Sequence, residues 1–229
     1  MPRARTLATL FLAVSAACSK LPDYAAPRSG GAVDAVTLES KDLIAYRVLS
    51  REDFKRREPP GEVRHGEHEL MAMTCGFLFT EPNTKVRVEE TRFPDGVVRY
   101  DASVPALKLL ARMDRECSWW NTEPGTTMSE EYVLEHEQIH FAIYELQARY
   151  ANQAWAESGD KLGVSAETRE EVTESIRDKL KEFVQKHVEA ALDRSREFDE
   201  DTSLGYQPER QKEWRRRVNQ ELQQTEAWR

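Results

Sequence analysis

Ser129–Tyr150 reads SEEYVLEHEQIHFAIYELQARY, and within it His136-Glu137-Gln138-Ile139-His140 forms an H-E-x-x-H sequence. A helix carries residues four apart onto one face. Both imidazoles can then bind one zinc ion, and Glu137 between them can reach a water that the ion activates. The surroundings predict a helix. Thr127 and Ser129 are candidate N-caps, and Glu130 follows Thr127 at capping-box spacing. No Gly or Pro intervenes before Gly159, a natural stop. Val133, His136, His140, Ile143 and Gln147 share a stripe flanked by Ile139 and Tyr144, which places both histidines on a half-buried face.

At 229 residues the chain has room for one domain plus extensions. Charged residues make up 32% and the net charge is −8, which argues against a nucleic-acid partner or an anionic-lipid surface. The basic run Arg215-Arg216-Arg217 sits in an acidic helical tail and reads as a solvated face. Arg3 and Arg5, the apolar stretch Leu7–Ala17 and the small residues Ser15-Ala16-Ala17 before Cys18 form a signal peptide over residues 1–17. The segment before Cys18 resembles a bacterial lipobox, with Ser15 where Leu is usual. That resemblance implies cleavage before Cys18, a lipid on Cys18 and anchoring to a membrane of the cell envelope. Simple secretion is the other reading. Residues 18–38, with Pro22, Pro27 and Gly30-Gly31, read as a flexible tether. Cys75 and Cys117 then remain, either as a disulfide in an oxidising compartment or as two buried thiols.

Residues 39–229 read as a single α+β domain, with a β-rich part over 39–120 and a helical part over 128–229. Leu43–Leu49 is a short apolar run, and Glu69–Thr80 a buried strand. Lys85–Phe93 and Val97–Val104 form a hairpin about Pro94-Asp95-Gly96. In Leu107–Met113, Leu107, Leu109, Ala111 and Met113 fit a strand while Leu107, Leu110 and Ala111 fit a helix; the strand, closing an antiparallel sheet, is the preferred reading. After the motif helix, Ser165 can cap a second helix running to about Arg196. Phe198–Tyr206 reads as irregular and acidic. Pro208 suits the first turn of a third helix, packed loosely through Trp214, Val218 and Leu222.

Catalytic zinc usually has three protein ligands and an open position. The metzincin arrangement is excluded, because Ile143 and Leu146 stand where it needs Gly and His. Glu145 points away from the histidines and reads as a solvated or structural carboxylate. A tight turn over Gly159–Ser165 would make the two long helices antiparallel and set His187 opposite the motif. His187 is therefore the geometric candidate for the third ligand; a core histidine is the equal alternative. Asp199, Glu200 and Asp201 form a second set of candidates.

The motif helix, His136-Glu137-Gln138-Ile139-His140-Phe141 with Glu145, Ala148 and Arg149, resembles a bacterial family of secreted proteins regarded as zinc-dependent proteases, the DUF922 type. That family's helix is similar to H-E-Q-x-H-F-D-I-x-E-x-x-A-R, with Ala142 here in place of its Asp. Leu49–Lys55, Ser118-Trp119 and Phe198–Trp214 resemble three further family stretches, the last including Gln211 and Trp214. The family's last motif has a histidine where this chain has Leu204. The resemblance implies a zincin-like hydrolase. In that reading zinc on His136 and His140 activates water, Glu137 is the general base, and the substrate is a peptide or protein. Tyr144 or Tyr206 could supply an oxyanion donor, though a buried structural tyrosine suits each better. Two other readings stand beside it: a non-catalytic envelope lipoprotein with a degenerate site, and a structural zinc site with four protein ligands.

Overall fold

A computed structural model describes residues 5–9, 42–61, 64–65, 68–82, 84–122, 128–158 and 163–229. Thr127, Gly159, Cys18, and the signal and tether segments apart from Arg5–Thr9 lie outside them. In chain order the strands are β1 (Arg5–Thr9), β2 (Leu43–Ala45), β3 (Arg64–His65), β4 (His68–Glu69), β5 (Ala72–Met73), β6 (Gly76–Thr80), β7 (Lys85–Arg92), β8 (Val98–Ser103), β9 (Leu109–Asp114) and β10 (Trp119–Trp120). Helix α1 (Glu130–Ser158), strand β11 (Val164–Ala166), α2 (Arg169–Thr202) and α3 (Pro208–Gln224) complete the chain. This is a mixed α+β architecture with antiparallel sheets. Among the described residues no helix is long and apolar enough to cross a membrane.

The expected hairpin is present: β7 and β8 pair from Arg87↔Ser103 to Arg92↔Val98. Its turn needs Gly96 at φ +88°, where a side chain would be strained. β1 lies on the free edge of β7, and β11 on that of β8. β1 lies within the stretch read above as a signal peptide. Leu109–Asp114 is a strand, as the alternation of Leu109, Ala111 and Met113 predicts; it sits at the centre of the sheet β2-β9-β6.

The apolar run 69–80 is not one strand. It changes partner part-way, β5 pairing with β10 and β6 with β9. The Cys75–Cys117 disulfide sits at that change, with a Cα–Cα distance of 5.8 Å. Of the two readings for this pair, the bridge is the one found.

Helix α1 starts at Ser129, whose hydroxyl accepts from the Tyr132 N–H at 3.3 Å. Its middle is buried nearly all round rather than along one stripe. Phe141, Ile143, Leu146 and Ala151 are wholly buried, with β9 and β6 on one side and α2 and α3 on others. Within the motif, Gln138 ties down the segment before the short 3-10 turn Arg51–Asp53, accepting from the Leu49 N–H at 2.8 Å and donating to the Arg47 carbonyl at 3.2 Å. Glu145 is buried and paired with Arg149 at 2.8 Å, a structural carboxylate rather than a solvated one.

Two helix boundaries differ from the sequence reading. Val164–Ala166 is spent on pairing with β8, so α2 is capped by Thr168, with Glu171 completing a capping box, and not by Ser165. At its far end α2 continues through Phe198 to Thr202. Acidic residues at a helix C-terminus are unfavourable, but burying Phe198 and Thr202 completely outweighs that. The third helix also packs closely, not loosely: Gln211, Trp214 and Val218 are at most 1% exposed.

Gly76 lies where α1 crosses β6, and a Cβ there would overlap the Tyr144 ring. Gly76→Ala should therefore cost about 1–3 kcal/mol in denaturant unfolding. A second prediction concerns His187, which is 9% exposed and whose pKa falls to about 4 through burial and the nearby Lys186 charge. The unfolded chain takes up this proton first, so its contribution is complete above about pH 6.5 and is lost as pH falls toward 4. Between pH 7 and 5 the wild type should lose about 2 kcal/mol more than His187→Leu. Equal losses in the two proteins would contradict this.

Candidate metal centre

His136 and His140, one turn apart on α1, point their Nε2 atoms at each other across 3.3 Å. The Asp199 carboxylate, from the end of α2, completes a triangle. Its Oδ1 lies 3.2 Å from His136 Nε2 and 3.0 Å from His140 Nε2. Tetrahedral zinc with bonds near 2.0–2.1 Å separates its ligand atoms by about 3.3 Å. The three donor atoms already have that spacing, and this group can hold a metal ion.

The electrostatics agree. Burial works to raise the Asp199 pKa, but the His140 charge and hydrogen bonds from both histidines outweigh it and hold the carboxyl well below the usual range. Burial works to lower the His140 pKa; Asp199, with help from Glu137, reverses that and raises it. A buried anion between two imidazoles makes a site that favours positive charge, whether proton or metal.

The walls are aromatic and apolar. Phe198, wholly buried, stacks on His136 at 4.4 Å and meets His140 edge-on at 4.9 Å. His136 Nδ1, on the far side of the ring, is 3.0 Å from Gln211 Oε1. Glu137 is 2% exposed, and among the described residues its Oε2 has no hydrogen-bond partner. It borders a cavity of about 10 Å³ shared with His136, Met71, Val133, Leu204 and Gly205. That is room for about one water.

After Asp199 the chain reverses through three successive left-handed residues, Ser203, Leu204 and Gly205, at φ 50°, 56° and 88°. For leucine this conformation costs on the order of 1 kcal/mol or more. The reversal is held by bonds from the Leu204 N–H to the Asp199 carbonyl at 2.8 Å and from the Tyr132 hydroxyl to the Gly205 carbonyl at 2.6 Å. The Tyr206 hydroxyl contacts the backbone N and O of Glu69, each at 3.2 Å. Tyr206 is thus engaged structurally, and Tyr144 is buried beneath Gly76.

Of the third-ligand candidates, the structure brings Asp199 to the histidines. His187 is instead in the helix packing, 5.0 Å from Phe183, which itself meets Trp155. Placing His187 opposite the motif assumed a tight turn. The inserted strand β11 delays the start of α2, so the residue facing the motif comes twelve positions later in the chain. Asp201 turns the other way and accepts from Trp214 Nε1 at 2.8 Å. Sequence reasoning missed the parts played here by Phe198 and Gly205. Recognising Val164–Ala166 as a strand would have corrected the register and singled out Asp199.

Comparisons with protein-family models, with curated proteins and with solved structures found no match.

Zinc at a hundredfold excess over its dissociation constant should raise the melting temperature by roughly 5–10 °C. Asp199→Ala should abolish the shift and His187→Leu should retain it. The opposite pattern would move the third-ligand role to His187.

Proposed function

We propose that the chain is a zinc-dependent, zincin-like peptidase exported to the bacterial cell envelope. The observation that carries the reading is Glu137, a carboxylate with an unpaired buried oxygen, next in sequence to a histidine of the metal group and beside a cavity of water size. A buried polar oxygen with no hydrogen-bond partner is costly unless a ligand or a reaction uses it. When bound, zinc would supply a Lewis-acid charge that acidifies water and polarises a peptide carbonyl. His136, His140 and Asp199 would hold it. Glu137 takes a proton from the attacking water and returns it to the leaving amine. Phe198 and the apolar cavity wall limit water around the reacting groups, which strengthens their electrostatics.

The resemblance of the motif helix to the DUF922-type proteins supports this reading, and the Cys75–Cys117 disulfide suits an oxidising compartment. Lipid attachment at Cys18 would hold the protein to a membrane. A second reading has its own observation. Leu204 stands in the cavity wall where the resembling family has histidine, which fits a non-catalytic envelope lipoprotein that keeps the fold.

The test is Glu137→Gln, assayed for bound metal and for cleavage of a fluorogenic peptide library. The peptidase reading expects zinc to be retained and hydrolysis to fall by roughly 10²–10⁴. Hydrolysis at the wild-type rate would remove Glu137 from the mechanism. Metal-free wild-type protein without cleavage, even after zinc is supplied, would favour the lipoprotein reading.

A further inference from the structure

We propose that Gln211 is a positioning residue that fixes which nitrogen of His136 faces the metal group; this rests on the metal reading above. The argument is one of donors and acceptors. The Gln211 amide nitrogen donates to the Tyr132 carbonyl at 3.2 Å, and its Oε1 lies 3.0 Å from His136 Nδ1. A carbonyl can only accept, so Tyr132 decides the orientation of the amide. Reversing the amide would set Oε1 against the Tyr132 oxygen. Held this way, Gln211 presents an acceptor to Nδ1, and Nδ1 must carry the hydrogen. Nε2, which faces His140 Nε2 and Asp199 Oδ1, is then the nitrogen left to give up its proton and bind a metal, which is the arrangement a metal ligand requires.

The surroundings leave the amide little freedom. Gln211 is wholly buried on the first turns of α3. Gly205 packs directly on the bond it makes: a Cβ there would lie 3.3 Å from His136 Nδ1 and 3.5 Å from Gln211 Oε1. The left-handed turn thus covers the contact with backbone. Gln211 is also neutral. It orients His136 without adding a further anion to a buried site that already holds Asp199 and Glu137.

The experiment measures zinc dissociation constants by chelator competition for the wild type, Q211M and Q211E, with folding checked by circular dichroism. Methionine keeps the length but offers Nδ1 no strong acceptor. Q211M should weaken binding by roughly 10–100-fold. Q211E restores an acceptor for Nδ1–H while losing the donor to Tyr132, so it should recover most of that loss. A packing role alone would leave Q211E as weak as Q211M. Q211M within about twofold of the wild type, or Q211E no better than Q211M, would overturn the inference. A wild type that binds no zinc would overturn the metal reading itself, and that failure shows in the parent protein rather than in the variants. Should Q211M not fold, the His136 ring in zinc-loaded wild type decides. A slowly exchanging, hydrogen-bonded Nδ1–H supports the inference, and a freely exchanging one overturns it.

Discussion

One carboxylate, that of Asp199, lies between two imidazoles at the end of a helix, and Phe198 packs on both imidazole rings. The last turn of a helix is the wrong place for a negative charge, and here Glu200 and Asp201 follow directly. The arrangement is tolerable because positive charge can sit at the focus of the three donor atoms. Asp199 Oδ1 and the two Nε2 atoms lie within 3.3 Å of one another, so a proton or a metal ion there meets all three. The rest of the helical half is arranged to keep these groups together.

That arrangement has a cost, borne by the turn after Asp199. To bring α3 back against α1, the chain passes through three left-handed residues, of which only Gly205 adopts that conformation without penalty. The strain persists because the turn is held from several sides. Thr202 accepts the Gln207 N–H at its carbonyl, Tyr132 holds the Gly205 carbonyl, and Tyr206 reaches across to the backbone of Glu69. These ties link the helical half to the β-rich half beside the metal group. The site is a junction of α1, the end of α2 and the start of α3, and none of the three can shift alone.

The sequence displayed the parts of this structure that depend on local periodicity. The hairpin about Gly96, the strand through Met113, the motif helix and Pro208 at the start of α3 follow from spacing and turn chemistry. What it concealed depends on partners distant in sequence. The apolar run 69–80 carries no mark of its change of partner at Cys75, because both halves are equally apolar. Val164–Ala166 is too short to show alternation, yet it sets the register between α1 and α2 and so exchanges His187 for Asp199. The acidic composition of 199–201 suggested a loop, and the burial of Phe198 and Thr202 overrode it. His136, Glu137 and His140 were legible because a single helix presents them. Asp199 was legible only as one of several candidates.

Leu204 bears on both functional readings. It sets an apolar side chain in the wall of the cavity that Glu137 borders. Glu137 shares that cavity with the apolar Met71, Val133 and Leu204, and its Oε2 has no hydrogen-bond partner among the described residues. A non-catalytic scaffold gains nothing by keeping a carboxylate in such a place, since an apolar residue of similar size would be no worse and often better. A metal site with a water beside it does gain, because that carboxylate then has a partner. The buried Glu137, one oxygen of which has no hydrogen-bond partner among the described residues, therefore weighs toward chemistry at this site, and Leu204, by keeping the wall apolar, adds to that weight rather than cancelling it.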